Sequence, residues 1–197
     1  MRILCTSDFH RSDKIVKNVL NIIKTKNIDV YINAGDFLSN DFAKDFFKKL
    51  KVKTFVVSGN WDWDMKYKGK YVSILEDKLE KYKDYYFFGV NPDFADADYF
   101  TKMVKNVPKE KLIFISHSPP YNILDKMWNG AHIGFIEYNE FVKKNKPILH
   151  VFGHIHENNG IKKTKNTTYI NAALAASNKA YIIDIPSKKI ETVILDA

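Results

Sequence analysis

The sequence predicts an α/β fold of four layers, an α/β/β/α sandwich in which two facing mixed β-sheets carry helices on their outer sides. Three observations lead there. Short β-branched runs alternate with helical patterns in the first half, which implies a parallel sheet; the chain after His150 turns to short strands joined by turns; and no linker, repeat or low-complexity tract divides it. With 197 residues, 45% of them hydrophobic and 14% aromatic, the chain can bury a substantial core without disulfides or structural metal, so one domain over residues 1–197 is expected.

Residues 2–6, 29–33, 54–58, 111–116 and 147–151 read as buried strands. Between the first three, residues 12–26 place Ile15, Val19, Ile22 and Ile23 at helical spacing behind a Ser12 cap, and residues 40–51 place Phe42, Phe46, Phe47 and Leu50 behind an Asn40 cap. Residues 71–81 read as a helix, 84–90 as an aromatic strand and 96–107 as another helix. Residues 161–163, 167–171, 179–185 and 189–195 read as short strands of an antiparallel second sheet.

The lone cysteine, Cys5, sits in an apolar strand and reads as a buried thiol, which excludes a disulfide scaffold within one chain. The N-terminal stretch shows no basic leader ahead of a long apolar run, and the longest apolar runs fall short of the ~20 residues a membrane span requires. A cytoplasmic protein with no membrane contact is the expectation. The formal charge of +8 suits an anionic partner, yet nearly all the basic residues are lysines, Arg2 and Arg11 being the only arginines. No basic run interleaved with aromatics tracks a nucleic-acid backbone, and a small phosphorylated substrate fits the charge equally well.

The residues able to bind metal fall just after strands, where open α/β sheets place their ligand crevices. They are Asp8-Phe9-His10, Gly35-Asp36, Gly59-Asn60, His117 and Gly153-His154-Ile155-His156. In an extended loop residues two apart can point the same way, so Asp8 with His10, and His154 with His156, can each offer two groups to one cluster. The mixture of carboxylate, imidazole and amide suits Mn, Fe or Zn better than Mg or Ca. Singly, each motif is more often a turn or a partnered surface residue; five strand ends carrying ligand types in succession change the balance.

The order and spacing of SDFH, AGD, GNWD, SHSPP and GHIH resemble the calcineurin-like metallophosphoesterases, whose pattern is D-x-H, G-D, G-N-[HC]-[DE], H and G-H-x-H; the resemblance spans residues 8–156. It implies the metallophosphoesterase fold and a phosphoric ester hydrolase with two divalent ions, drawn from Mn, Fe, Zn and Ni with Mn favoured. By the same resemblance Asp8, His10, Asp36 and His156 hold one ion, Asp36, Asn60, His117 and His154 hold the other, and Asp36 bridges them. The resemblance further implies that a hydroxide shared by the ions would attack phosphorus in line. Asn60 additionally orients a phosphoryl oxygen, and relatives of this kind often form homo-oligomers.

One departure stands out. Many members carry, after the Asn of the GN motif, a histidine that protonates the leaving group; here Trp61 takes that position, and an indole N–H donates a hydrogen bond without giving up a proton at neutral pH. Members with cysteine there are often phosphodiesterases, so diester cleavage is expected over monoester cleavage, with Trp61 and Arg11 as candidate substrate contacts. His132, in the long segment after His117, is the candidate to supply the missing acid or to bind the phosphate. Asp62 is expected to support the ligands from behind and His150 to be a core residue. A metal-dependent nuclease of the same fold stays open as an alternative, as does a non-catalytic scaffold like the metal-degraded subunit of the retromer complex, although all seven expected ligands persist here.

Overall fold

The computed structural model describes residues 1–62 and 64–196. Arg2–Thr6 (β1), Val30–Asn33 (β2), Lys53–Val56 (β3) and Val72–Ile74 (β4) pair in parallel, joined between the first three by helices Asp13–Thr25 (α1) and Asn40–Lys49 (α2). Lys78–Tyr82 (β5) turns back on Tyr85–Gly89 (β6), and Ala97–Met103 (α3) leads to Leu112–Ile115 (β7). Ile136–Asn145 (α4) precedes Leu149–Phe152 (β8), followed by Gly160–Lys163 (β9), Thr168–Asn171 (β10), Lys179–Asp184 (β11) and Lys189–Ile194 (β12). Among the described residues the strands form two six-stranded sheets, ordered β12-β11-β1-β2-β3-β4 and β5-β6-β7-β8-β10-β9, and both are mixed.

The four layers follow from the period of two along each strand. In β1, Ile3 and Cys5 point between the sheets, where they meet Val30, Phe55, Phe87, Ile113 and Val151; Leu4 points the other way, onto Val16, Val19 and Phe46 of α1 and α2. The second sheet repeats the scheme, with Phe88, Phe114 and Phe152 facing Phe100, Phe141 and Val142 of α3 and α4. Phe55 and Phe87 stack at 4.0 Å between the sheets. Each fully buried Phe of this kind contributes about 1.5–3 kcal/mol.

Several expectations need correction. Residues 71–81 are not a helix but β4 and the start of β5. Val72, Leu75 and Leu79 mimic helical spacing among lysines and glutamates, yet the chain turns at Asp77, which takes φ 50°, and Val72 and Leu75 enter different cores. The last four strands do not build a sheet of their own. β10 lies parallel to β8 with Ile170 opposite Val151, while β11 pairs antiparallel with β1, Ile183 opposite Ile3. Their sequences bury both faces, Tyr181 and Ile183 on one side of β11 and Ala180 and Ile182 on the other, which demands an interior position between existing layers. The α2 cap is Ser39 rather than Asn40, its Oγ accepting from Phe42 N at 3.3 Å, whereas Ser12 caps α1 as expected. Helix α4 follows Phe135, which makes no side-chain cap, so its start carries no capping signal in the sequence.

Cys5 is fully buried and burial pushes its thiol pKa up, as its strand position implies. No helix among the described residues is long and apolar enough to cross a membrane.

Candidate metal centre

All the expected ligands lie in loops at the C-terminal ends of β1, β2, β3, β7 and β8. The loops lean on one another through main-chain bonds: Asp8 N–H donates to Gly35 O at 2.8 Å, and Gly153 N–H to His117 O at 2.9 Å. Asp8, His10, Asp36 and His154 take φ of 58°, 47°, 61° and 68°. Left-handed backbone at such residues costs about 1–3 kcal/mol each and clusters where function demands it. A Cβ on Gly59 would run into the Asp36 carboxylate, and one on Gly153 into Ser7 Oγ and Asp8 Oδ2, so glycine there lets chain and carboxylate approach closely.

Two groups of metal-binding side chains result. Asp8, His10 and His156 form the first and Asp36, His117 and His154 the second, with the ligand atoms in each within 4.8 Å of one another. In the first, His156 Nε2 is 3.0 Å and His10 Nε2 4.0 Å from Asp8 Oδ1, and the His10 and His156 rings meet edge to face at 4.8 Å. In the second, His117 Nδ1–H donates to Ala34 O at 2.7 Å, which turns Nε2 toward the cluster. Nε2 lies 2.9 Å from Asn60 Oδ1 and 3.5 Å from Asp36 Oδ2. An imidazole nitrogen, an amide oxygen and a carboxylate oxygen converging on one point form a donor set that fits divalent metal.

The electrostatics agree. Burial pushes the Asp36 carboxyl up to about 6, the neighbouring Asp8 charge adding to the effect and His117 opposing it. Asp8 ends below its ordinary value: burial raises it, but the His156 hydrogen bond and the nearby imidazoles outweigh burial. Burial and His117 push His154 down to about 4, and burial lowers His10, so both rings are neutral donors near pH 7. His156 goes the other way, raised by its bond to Asp8. The charges of Asp8 and His117 both bear on Asp36, and Asp36 in turn helps to raise His156.

Behind the ligands, buried Asp62 accepts four main-chain N–H groups. Asp36 N and Gly59 N donate to Oδ2 at 2.6 and 3.0 Å, Phe37 N and Leu38 N to Oδ1 at 2.8 and 3.2 Å. One carboxylate thereby fastens the loops after β2 and β3 together. Asn33 does similar work, its Oδ1 accepting from Gly35 N at 2.9 Å while Nδ2 reaches Tyr31 Oη and Thr6 Oγ1. Sequence reasoning overlooked Asn33; its position two residues before the loop glycine was the available signal.

The calcineurin-like phosphoesterase family model matches residues 1–158. The chain belongs to that family. It is similar to UPF0046 protein K07C11.7 of Caenorhabditis elegans, 27% identical over 209 residues covering 88% of this chain and 69% of that protein. It is also similar to human metallophosphoesterase domain-containing protein 1, at 36% identity over 92 residues, 42% of this chain and 28% of that protein, so this match spans under a third of the human relative. Among solved structures, a novel archaeal phosphodiesterase shares the fold with a TM-score of 0.65 over 99% of this chain and 100% of its own, at 17% identity. The two His/Asp groups therefore stand where the calcineurin-like pattern calls for a dinuclear metal site.

The remaining candidates are dispersed. Trp61, 62% exposed, donates its main-chain N–H to Asp36 Oδ1 at 3.1 Å and, with His10, Arg11 and Leu38, lines a groove of about 460 Å³. His132 belongs to neither group: its Nδ1 lies 2.7 Å from Asp125 Oδ1, and its ring meets Tyr121 at 5.9 Å. Its buried partner Asp125 was not anticipated. His150 is fully buried against Phe114, as expected of a core residue.

Proposed function

We propose that this calcineurin-like phosphoesterase hydrolyses a small phosphate diester with the help of two divalent cations, manganese being favoured, in the cytoplasm. What carries the proposal is the second group: His117, oriented by Ala34 O so that Nε2 converges with Asp36 and Asn60, beside Asp8, His10 and His156. Bound cations would supply Lewis acidity at the phosphoryl group and a nucleophile at neutral pH.

The chain's own residues do the rest. With Asn60 Oδ1 turned to His117, the Nδ2 hydrogens face away from it and can meet a phosphoryl oxygen. Asp62 holds the Asp36 and Gly59 loops still, so the ligands do not reorganise as charge develops. Trp61 offers no proton to a departing group, and loss of a general acid typically costs about 10² to 10⁴ in rate. That deficit favours esters whose leaving group departs without protonation.

The test is Mn-dependent hydrolysis of bis-p-nitrophenyl phosphate beside p-nitrophenyl phosphate, by wild type and Asp36→Asn. The diester should be the better substrate, and the substitution should cost more than the ~10–100-fold that loss of an outer-sphere partner causes. A better monoester rate removes the diester preference; no metal-dependent turnover of either ester removes the hydrolase.

A further inference from the structure

Trp61 is an exposed indole whose main chain is held on both sides. Its own N–H is bound to the Asp36 carboxylate, and its neighbour Asp62 accepts four main-chain N–H groups. The side chain is therefore mobile only about its own χ angles, one residue from Asn60 and beside His10. Leu38 supplies a second apolar surface in the same groove. Arg11, exposed and with φ 60°, makes no ion pair among the described residues, so its guanidinium is available to a phosphate oxygen. An exposed flat ring, an aliphatic wall and a guanidinium sharing a groove of about 460 Å³ off one metal group is a combination that binds a planar aromatic ring attached to a phosphate.

A second cavity along the same segment is unlike it. A cavity of about 250 Å³ beside Asn60 has Asp64, Glu76 and Asp93 in its wall. Carboxylates there disfavour a second phosphate, which argues against a polynucleotide strand running across both cavities and for a ligand with one phosphate and one ring.

Resting on the diesterase proposed above, we infer that Trp61 is a specificity-determining residue, and that the substrate is a phosphodiester with a nucleoside-like arm whose base stacks on the indole while Arg11 contacts the phosphate. Because Trp61 is exposed, its replacement leaves the core intact.

Two Mn-loaded measurements decide the matter. The first is the ratio of kcat/KM for thymidine 5′-(p-nitrophenyl phosphate) to that for methyl p-nitrophenyl phosphate, which share a leaving group. Wild type should prefer the nucleoside ester, Trp61→Ala should lower the ratio by about 10- to 100-fold, and Trp61→Phe should keep most of it. A general loss of activity lowers both rates and leaves the ratio alone, so an unchanged ratio overturns the inference. The second reads the groove without turnover, by calorimetry of adenosine 5′-monophosphate against ribose 5-phosphate. Tighter binding of the nucleotide, lost in Trp61→Ala, upholds the stacking role even if neither ester is cleaved, in which case the hydrolase proposal alone fails; equal affinities in wild type overturn the stacking role even if both esters are cleaved.

Discussion

The two sheets furnish the metal centre by different means. The first sheet brings the carboxylates and fixes them with its own main chain: Asp8 is tied to the Gly35 loop, and Asp36 to the Gly59 loop through Asp62. The second sheet brings imidazoles, and their aim is set by reaching across. His117 is oriented by Ala34 O, His154 N–H donates to Asp8 Oδ2 at 3.1 Å, and His156 Nε2 sits against Asp8 Oδ1. Only His10 breaks the division, an imidazole from the first sheet. The acidic side is thus a frame that stands largely by itself, and the histidine side is registered on that frame.

The comparison breaks hardest at Asp62. Asp62→Ala leaves four N–H groups without their acceptor, and since each unsatisfied buried donor costs about 1–3 kcal/mol, a loss of about 3 kcal/mol or more is expected in urea unfolding. Manganese affinity, read by calorimetry, should fall by at least ~10–100-fold even though Asp62 binds no metal itself. If stability and affinity both hold, the frame is supported from elsewhere. Metal removal acts on a comparable scale, set by how far the metal concentration exceeds Kd. Stripping manganese held at 100–1,000 times Kd should lower Tm by roughly 5–15 °C. An unchanged Tm would mean that no metal was bound to begin with.

The sequence disclosed the frame better than it disclosed what lies around it. Asp8, His10, Asp36, Asn60, His117, His154 and His156 sit at strand ends, where a strand pattern plus a following polar cluster is a local signal, and the chain brings them together. The parallel start was legible for the same reason: β1, β2 and β3 are short, mostly buried and rich in β-branched and aromatic residues, and are separated by two clearly amphipathic helices. Non-local facts were not legible. Nothing in residues 71–81 announces that the chain turns at Asp77, whose Oδ1 accepts Asn91 N–H from the end of β6, and nothing in β10 or β11 says which sheet each will join. The bond from His132 to Asp125 spans seven residues within one irregular loop and has no periodicity to betray it.

The smallest expected effect concerns the imidazole of the second sheet that stays out of the site. His150 lies on β8 with its ring among Phe114, Phe152 and Tyr169, at 4.3, 4.9 and 5.9 Å. Ser116 Oγ donates to Ser118 O at 2.7 Å, so its contact with His150 at 2.8 Å must be a bond from Nε2–H, leaving Nδ1 as a buried lone pair without a partner among the described residues. Burial holds the His150 pKa well below 6.5. The facing hydroxyls of Tyr138 and Tyr169 are raised by burial and stay neutral, so they do not titrate alongside it. Above pH ~6.5 neither folded nor unfolded chain holds a proton at His150; below it the unfolded chain takes one that the folded chain refuses, so stability falls with pH by up to about 1.4 kcal/mol per unit until the depressed pKa is reached. His150→Phe, which fills the aromatic slot and removes the proton, should flatten that slope and retain about 2 kcal/mol more stability at pH 5 relative to pH 7.5 than wild type does. Both are to be unfolded by urea in chelator, which takes metal-linked protonation at His154 and His156 out of the difference. Parallel losses in the two proteins would show that the acid sensitivity belongs to the site histidines and not to the core one.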